Sequence, residues 1–505
     1  MPVFAQYDLL VAIVVGFSGL VLFVIRSRKR RLPYPPGPKR LPIVGNLFKI
    51  PSQEAWVTYR KWSEEFASDV IHVDVMGAHI FILNSMKSAS DLLDKRSSMY
   101  SDRPRLTVMQ ELFGMDYNIA FAPYGSAWRH SRREFRANFR PADLETYQPL
   151  EQRAVHRLLG NLLSSPDNFV QHFRHMAGQV ILSITYGIDV LPENDPFVAD
   201  AEKVLQSIAV GTGKEAALLD SIPWLIKMPS WFPGARFKRY AREWRLIVTG
   251  AVMTPYDKVK RELASGAATP SVAANIISRL DENSTEEDLW VAKAVPGTMY
   301  LGGADTTVSA LQTFVLAMTL YPEVQRKAQT EIDQLVGNSR LPEFSDQDGL
   351  PYVDAVLKEV LRWHPVTPLA VPHKVMESDT YEGYYIPAGS TVIANAWGML
   401  HDPAVFAEPG QFYPERWLSP GAPAFPNQAF GFGARQCPGR YLARASIWST
   451  MVGILAAFDI EPTEDGPPEE AYSSGFLSYP MPFRCYIRSR SKEVASLVQA
   501  TESEG

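Results

Sequence analysis

The sequence predicts a mainly α-helical protein with a small β portion, preceded by one membrane-spanning helix. Apolar residues recur with a period near 3.6 through most of residues 85–340, which is typical of amphipathic helices. An uncharged apolar run occupies Leu9–Ile25. Short strand-like runs occur at Val70–Val75, His79–Leu83, Tyr384–Ile386 and Thr391–Ala394. The turn at Pro387–Ser390 predicts that the last two of these runs form a hairpin.

Composition narrows the class of protein further. Of 505 residues, 46% are hydrophobic and 21% are charged, which is ordinary for a globular chain with a large core. The net charge of −5 gives no reason to expect a nucleic-acid partner, since nucleic-acid-binding domains are usually strongly basic. Two cysteines, Cys437 and Cys485, are too few for a disulfide framework and fit a reducing compartment.

The N-terminal apolar run is interpreted as an uncleaved membrane anchor. Its 17 residues are at the short end of what spans a bilayer. Positive charge concentrates on the cytoplasmic side of a span, so the basic residues after the run place the N-terminus in the lumen and the body in the cytosol. These residues are Arg26, Arg28, Lys29, Arg30 and Arg31. A signal peptide would carry its basic residues before the run, and a buried core helix is the other alternative.

A proline-rich stretch, Leu32–Pro38, follows the basic residues. Clustered prolines fix φ and remove backbone donors, so the stretch is predicted to be a stiff, extended linker. A tether without an orienting role is the alternative. We therefore divide the chain into an anchor with its basic flank at 1–31, a hinge at 32–46, one large body at 47–492 and a polar tail at 493–505.

One predicted helix differs from the others. Ser284 and Glu287 have the spacing of a capping box. Beyond them, Leu289–Leu320 is apolar on nearly all sides, which indicates a helix buried in the centre of the molecule. Residues 302–307 place weak helix formers and the carboxylate of Asp305 inside this helix. Burying that carboxylate is costly unless another group pairs with it or uses it.

The most specific motif surrounds Cys437. Glycines before and after this cysteine, within Phe430–Gly439, allow the backbone to turn tightly and to direct N–H groups toward the sulfur. A helix is predicted directly afterwards, over Arg440–Phe458, and its dipole would lower the pKa of the thiol. A thiolate that accepts hydrogen bonds is a suitable axial ligand for a haem iron that promotes O–O cleavage.

This segment resembles the cysteine-ligand loop of the cytochrome P-450 superfamily, F-x-x-G-x-R-x-C-x-G. All five fixed positions are filled, by Phe430, Gly433, Arg435, Cys437 and Gly439. Further motifs that resemble those of the family lie at Trp128–Arg132, Gly302–Thr307, Glu359–Arg362 and Phe412–Trp417. Gly302 stands where alanine is commoner. The resemblance covers essentially the whole chain, and it is to membrane-anchored fungal members that act in secondary metabolism or xenobiotic oxidation.

The resemblance implies the cytochrome P-450 fold, a triangular helical body whose long central helix crosses over haem b, with Cys437 as the iron ligand. It also implies that haem is bound by Trp128, Arg132, His373, Phe430, Gly433, Arg435 and Gly439. The two arginines, the histidine and the tryptophan of this set would contact the propionates, because guanidinium groups bind carboxylates bidentately. Glu359, Arg362 and Arg416 would form a buried network with a structural role.

Asp305 and Thr306 are the expected catalytic residues. Oxygen activation at a thiolate-ligated iron consumes protons, and a hydroxyl beside a carboxylate can relay them from solvent. Gly302 and Gly303 would leave room for oxygen above the haem. Without the cysteine loop, a kinked helix with a capping threonine would be the simpler interpretation.

The resemblance implies a monooxygenase that inserts one atom of O2 into a lipophilic small molecule, such as a terpenoid, steroid, aromatic compound or xenobiotic. The chain has no flavin or nicotinamide motif, so electrons are expected from NADPH through a separate NADPH–cytochrome P-450 reductase, with cytochrome b5 as an optional donor. Four arginines continue the basic character of the helix around Arg132, namely Arg129, Arg133, Arg136 and Arg140. Solvent exposure without a partner is one interpretation of them, and docking of an acidic reductase is the other. The expected location is the endoplasmic reticulum membrane, with one span and a cytosolic catalytic domain.

By the same resemblance, mostly apolar segments line the substrate pocket. They are Tyr100–Ile119, Lys203–Trp224, Val366–Val371, Gly475–Leu477 and the central helix near Met299 and Thr307. The aromatic segment Trp224–Pro233 has two open interpretations, which are an access route through the membrane surface and a loop packed on the core.

Two other functions remain open at this stage. A haem-thiolate isomerase, lyase or dehydratase would need neither external oxygen nor a reductase, but such enzymes tend to lose the pair that Asp305 and Thr306 form here. A non-catalytic haem-binding or sensing membrane protein would have no use for a proton-relay helix.

Overall fold

The computed structural model describes residues 32–504 except 214–215, 217–218, 221–225, 227 and 230–236. The predicted anchor at 1–31 and most of Trp224–Pro233 lie outside the described residues. Among the described residues, no helix combines the length and the apolar character needed to cross a bilayer.

The described chain is mainly helical, as predicted. In chain order the helices are α1 (Ala55–Glu65), α2 (Met86–Ala89), α3 (Ser97–Tyr100), α4 (Ser126–Asn138), α5 (Gln148–Ser164), α6 (Phe169–Tyr186), α7 (Pro196–Gly211), α8 (Phe237–Ser265), α9 (Val272–Ile277), α10 (Glu286–Leu320), α11 (Pro322–Leu335), α12 (Pro351–Trp363), α13 (Ala396–Leu400), α14 (Arg440–Ala457) and α15 (Lys492–Glu504).

The strands are short. They are β1 (Val70–Val75), β2 (Ala78–Leu83), β3 (His373–Lys374), β4 (Asp379–Tyr381), β5 (Tyr384–Ile386), β6 (Thr391–Ala394), β7 (Phe458–Glu461) and β8 (Tyr486–Ser489). β7 and β8 contribute residues to the main core, whereas buried residues of β1, β2, β4, β5 and β6 belong to smaller cores. In the described part of the chain, one four-stranded sheet has the order β1-β2-β6-β3, and β4-β5 and β7-β8 form two-stranded sheets.

The predicted hairpin across Pro387–Ser390 is wrong. β5 pairs with β4, whereas β6 runs parallel to β2 and antiparallel to β3. The turn itself exists, but its backbone bonds to Val375, since the N–H of Gly389 donates to the Val375 carbonyl oxygen at 2.7 Å. The turn therefore connects two different sheets. The pairing of β6 is decided by β2, which lies far away in the sequence.

The central helix α10 spans 35 residues and packs against α4, α6, α7 and α14. Its side chains are buried on nearly all sides, as the apolar pattern predicted. The predicted cap is displaced by one residue, because the N-cap is Thr285 and its capping-box partner is Asp288. Ser284 is not available as the cap, since its hydroxyl bonds to Asp281 in the preceding turn.

The hinge packs against the first two strands. The ring of Tyr34 stacks on His72 and His79, with ring centroids 4.6 and 4.9 Å apart. The N–H of His72 donates to the Pro36 carbonyl oxygen at 3.0 Å. A Cβ at Gly37 would collide with the carbonyl oxygen of His72, so only glycine allows this close approach.

Most of the segment predicted as a polar tail, 493–505, is helical. Residues Lys492–Glu504 form α15. Val494 and Val498 are buried in the main core, because their four-residue spacing places both on one face of the helix.

Candidate functional site

A cavity of about 330 Å³ lies between α10 and the loop that precedes α14. Cys437 and Gly439 line it from the loop, and Gly302, Thr306 and Thr307 line it from α10. The other described lining residues are mostly apolar and come from α4, α6, α7 and several connecting segments. The structure therefore brings the cysteine motif and the glycine-threonine motif of the central helix to one space.

The cysteine loop is shaped by a backbone hydrogen bond and by two glycines. The N–H of Cys437 donates to the Phe430 carbonyl oxygen at 2.8 Å, which closes the loop. Gly431 and Gly433 have φ of 79° and 56°, which side-chain-bearing residues rarely adopt. A Cβ at Gly433 would also collide with the Leu93 carbonyl oxygen. Backbone conformation and close packing together require glycine at this motif position.

Cys437 as a residue is half-buried, and it lines the cavity. Burial raises the pKa of its thiol, although the Gly439 N–H, Arg132 and Arg440 act in the opposite direction. The net direction of this pKa is therefore opposite to the expected one, because burial outweighs the groups that favour the thiolate. Cys437 lies two residues before the N-cap of α14, and desolvation outweighs the nearby positive groups. A coordinated metal ion deprotonates such a thiol outright.

Two glycines leave open space within the cavity. A Cβ at Gly302 or at Gly439 would meet no atom within 4 Å, although both residues line the cavity. By contrast, a Cβ at Gly303 would collide with Ile181. Open space beside both the sulfur and α10 suits a broad planar group such as the haem that the motif implies.

Arg435 lines another part of the cavity and is buried. Its guanidinium donates to the carbonyl oxygens of Ser101 at 2.7 Å, Ile119 at 3.2 Å and Ala122 at 2.8 Å. It also lies 4.3 Å from the ring centroid of Trp128. Burial lowers the pKa of Arg435 to about 9, so the group is still a cation at neutral pH. Carbonyl dipoles hold this cation without neutralising it.

Arg103 is a second buried cation on the cavity wall. From the sequence, it was expected only as part of the pocket segment Tyr100–Ile119. It donates to the carbonyl oxygens of Ala120 at 2.9 Å and of Val371 and Pro372 at 2.7 Å. The only sequence signal was an arginine directly before a proline. Such a signal is weak, because most arginines are exposed and burial is decided by distant segments.

Arg132 and His373 complete what we call the cation cluster, defined as Arg103, Arg132, His373 and Arg435. Arg132 donates to the Gln436 carbonyl oxygen, and its buried Nε has no partner among the described residues. Nδ1 of His373 lies 2.7 Å from the Tyr100 carbonyl oxygen. Burial and the charge of Arg103 hold the pKa of His373 well below its ordinary value, so the ring is neutral.

The cation cluster lacks a carboxylate partner. Among the described residues, none places a carboxylate within ion-pair distance of its three guanidinium groups. The charge of Asp102 acts to raise the pKa of Arg103 and of Arg435. Asp102 itself forms an ion pair with Lys374 at 3.3 Å. Buried positive charge without a counter-ion is costly and suits an anionic ligand. The two propionates of a haem meet this requirement.

Asp305 and Thr306 face different sides of α10. Thr306 lines the cavity, and its hydroxyl donates to the Gly302 carbonyl oxygen at 2.8 Å. Asp305 is buried outside the cavity wall, where it accepts a hydrogen bond from Oη of Tyr479 and lies 3.5 Å from Nε of Arg174. Burial raises the pKa of Asp305, whereas Tyr479 and Arg174 act to lower it. Sequence reasoning did not identify either of these partners.

A second buried group, which we call the glutamate network, consists of Glu359, Arg362 and Arg416. Both carboxylate oxygens of Glu359 accept from Arg362, at 2.9 and 2.8 Å, and one also accepts from Arg416 at 3.1 Å. The Tyr413 N–H and the Trp417 Nε1–H donate to the same carboxylate at 2.9 Å. The three predicted members therefore come together, and Glu359 receives five hydrogen bonds.

Comparison with known proteins decides the family, since the cytochrome P-450 family profile matches residues 35–486. The chain belongs to the cytochrome P-450 family. It is 39% identical to cytochrome P-450 monooxygenase 98 of Postia placenta over 97% of each chain. It is 40% identical to cytochrome P-450 monooxygenase COX2 of Coprinopsis cinerea, over 96% of this chain and 94% of that relative. Tryptamine 4-monooxygenase of Psilocybe cyanescens is 36% identical, over 97% and 99% of the two chains.

This cytochrome P-450 is therefore a monooxygenase of a family that uses haem b, and its relatives are fungal, as the resemblance implied. All four predicted pocket segments contribute to the cavity, together with Met299 and Thr307. The described lining residues from those segments are Arg103, Asn118, Ile119, Leu205, Ile208, Val366, Thr367, Ala370, Val371, Phe476 and Leu477. Part of Lys203–Trp224 lies outside the described residues.

Proposed function

We propose that this cytochrome P-450 inserts one atom of O2 into a neutral, lipophilic small molecule, by hydroxylation or epoxidation, with electrons from NADPH through a separate reductase. The supporting observation is the cavity whose walls carry Cys437 together with Gly302, Gly303, Thr306 and Thr307. When bound, haem b supplies the oxygen-activating iron. In this proposal Sγ of Cys437 would bind the iron, Phe430 and Gly439 would border the cofactor, and Gly433 fixes the loop.

The cation cluster is assigned to the haem propionates. Arg103, Arg132 and Arg435 supply guanidinium N–H groups, and His373 supplies a ring nitrogen. Trp128 contributes indirectly, because its ring lies against the guanidinium of Arg435 and keeps it in place. The unpartnered Nε of Arg132 supports this assignment.

The ferrous–carbon monoxide difference spectrum of the purified protein tests the ligand assignment, with Cys437→Ser as the variant and Cys485→Ser as the matched control. A Soret band far to the red that only Cys437→Ser abolishes is expected. A band at the position of histidine-ligated haem in the wild-type protein would contradict the proposal. Product formation without NADPH and O2 would instead favour an isomerase, lyase or dehydratase.

Proton delivery is assigned to Asp305 and Thr306. The Thr306 hydroxyl borders the cavity, and the adjacent carboxylate reaches groups outside it. Thr306→Ala should bind haem normally but divert electrons from product to hydrogen peroxide, because the hydroxyl that orders the last proton transfer is absent. Thr307→Ala, on the same wall, is the control. Fully coupled turnover by Thr306→Ala would contradict the assignment.

The substrate is proposed to be neutral and to carry a hydrogen-bond acceptor. The described lining residues are mostly apolar and include no Asp or Glu that could pair with an ammonium group. Asn118 is buried, and its Oδ1 accepts from the Ala120 N–H at 3.0 Å. In the described structure no acceptor bonds to its Nδ2, which is therefore free to donate to a ligand.

One relative is named for its action on tryptamine, which is an amine. Asn118 allows the proposed neutral substrate to be distinguished from an amine substrate of that kind. Binding of neutral lipophilic compounds with and without a carbonyl or hydroxyl group should be compared by the shift of the haem Soret band. Asn118→Leu should weaken binding of the oxygen-bearing compounds about tenfold and leave the hydrocarbons unaffected. Equal weakening of both groups, or tight binding of tryptamine by the wild-type protein, would contradict the proposed class.

The reductase is proposed to dock on the outer face of α4. This helix turns Trp128 and Arg132 toward the cavity, whereas Arg129, Arg133 and Arg136 are exposed. Arg133→Glu with Arg136→Glu should slow the first electron transfer, most strongly at low salt. Charge reversal at two exposed residues of α8, Lys260→Glu with Arg261→Glu, is the control. Equal rates in both double variants would contradict docking at α4.

Residues 1–31 are proposed to anchor the chain in the endoplasmic reticulum membrane, with the catalytic domain in the cytosol. The apolar run and the basic residues after it support this location. Deletion of residues 1–31 should release the protein from microsomal membranes washed at high pH. Protease added to intact microsomes should degrade the full-length body, whereas protection of the body would contradict the proposed orientation.

A further inference from the structure

Tyr479 belongs to a segment that hydrogen bonds hold against α10. The N–H of the preceding Ser478 donates to the Val366 carbonyl oxygen at 2.9 Å, and the Ser478 carbonyl oxygen accepts from Oγ of Ser309 at 2.5 Å. The N–H of Tyr479 itself donates to Oγ of Ser473 at 3.0 Å. Its phenol is therefore presented to α10 by a fixed backbone.

The phenol donates to Oδ2 of Asp305, and Nε of Arg174 lies 3.5 Å from Oδ1. Nε of Arg174 also lies 3.7 Å from Glu202. The side chains of Arg174 and Glu202 are 29% and 31% exposed, whereas that of Asp305 is 6% exposed. The carboxylate thus has a side that leads toward solvent. Burial raises the pKa of Tyr479 far above its ordinary value, so the phenol keeps the proton that it donates in the hydrogen bond to Asp305.

We propose that Tyr479 is a positioning residue for proton delivery, whose phenol holds the Asp305 carboxylate beside Arg174 and so sets how readily it accepts and passes on a proton. This inference rests on the proposed function, in which Asp305 delivers protons. No reacting atom needs to touch Tyr479, because its effect is exerted through Asp305.

The electrostatic environment of Asp305 supports this role. Among the described residues, the groups that face its carboxyl are Tyr479, Arg174 on α6 and, behind Arg174, Glu202 on α7. A hydrogen bond donated to the carboxylate favours its ionised form, which opposes the effect of burial. The carboxylate must be ionised to accept each proton, so coupling should decline as the pH falls through its pKa.

The first measurement is an infrared titration of the resting ferric enzyme, which needs no turnover. The C=O stretching band of protonated Asp305 is identified by its loss in Asp305→Asn. Tyr479→Phe should raise the midpoint of this band by about one pH unit. Tyr486→Phe, which removes a tyrosine–carboxylate hydrogen bond to Glu464 on the surface, is the matched control and should leave it unchanged. An unchanged midpoint in Tyr479→Phe would overturn the inference.

The second measurement is the fraction of NADPH that yields product rather than peroxide, as a function of pH. In Tyr479→Phe the pH of half-maximal coupling should rise by the same interval, with wild-type haem content. If Asp305→Asn uncouples the enzyme but Tyr479→Phe matches the wild type, the positioning role is wrong and proton delivery stands. If Asp305→Asn remains fully coupled, the proposed proton delivery fails and the inference fails with it.

Discussion

The glutamate network and the cation cluster are both built from buried arginines, but they differ in what balances the charge. In the network, two guanidinium groups directly contact one carboxylate, that of Glu359. In the cluster, three guanidinium groups are held largely by backbone carbonyl oxygens. No described carboxylate contacts them.

This difference separates a structural group from a binding group. In the network each guanidinium contacts a carboxylate and donates its other N–H groups to backbone carbonyl oxygens, so the network can stabilise the fold without a ligand. The cluster keeps positive charge facing the cavity at a cost in stability, and an anion would relieve that cost. Because both groups contain buried arginines, burial alone does not identify a charge that binds a ligand. The absence of a partner of opposite sign is what identifies it.

The largest expected effect is on the network. Glu359→Gln leaves two buried guanidinium groups without a carboxylate and should lower the free energy of unfolding by about 3–5 kcal/mol. Urea denaturation followed by circular dichroism measures it. Asp333→Asn removes the carboxylate from an ion pair with Arg490 that is partly exposed to solvent, at 2.6 Å, and should cost less than about 1 kcal/mol. Similar losses in both variants would mean that the buried network contributes no more to stability than a partly exposed ion pair.

An intermediate effect concerns His401, which lies beside the network. Burial, and then the charge of Arg362, lower the pKa of His401 to about 3. The unfolded chain, with a histidine pKa of about 6.5, therefore binds this proton more tightly than the folded chain. The stabilising contribution is present above pH 6.5 and is lost as the pH falls toward 3.

Between pH 7 and pH 5, the wild-type protein should lose about 2 kcal/mol more stability than His401→Gln, since one proton corresponds to about 1.4 kcal/mol per pH unit. Urea denaturation at each pH provides the comparison. His175→Gln, at a histidine outside both groups, is the control. Parallel pH profiles for the wild type and His401→Gln would show that the folded protein protonates His401 without cost.

The smallest effect on stability is expected in the cluster. Arg132→Met removes a half-buried cation that has no carboxylate partner, so the unfolding free energy should change by less than about 1 kcal/mol. Haem should nevertheless transfer to an excess of apomyoglobin about tenfold faster, because a charge-assisted contact to a propionate is lost. Arg133→Met, on the outer face of the same helix, should do neither. If Arg132→Met loses haem at the wild-type rate, Arg132 does not contribute to propionate binding.

The sequence predicted the elements whose signals are local. Val70–Val75, Tyr384–Ile386 and Thr391–Ala394 are strands with the expected bounds, and the central helix is buried as its apolar pattern indicated. Pairing was less predictable, because β6 joins β2 from more than three hundred residues away. The cap of α10 was displaced by one residue, because two neighbouring residues could both serve as N-cap and only the preceding turn decided between them.

By itself, the sequence determined the family, the cysteine loop and the residues that the motifs name. Such motifs are legible because short spacings fix local geometry, as the positive φ of Gly433 shows. Only the tertiary structure decided that Arg103 is a buried cation, that burial raises the pKa of Cys437, and that Tyr479 and Arg174 meet Asp305. Burial and charge balance depend on segments that are distant along the chain, and no local pattern encodes which of them will come together.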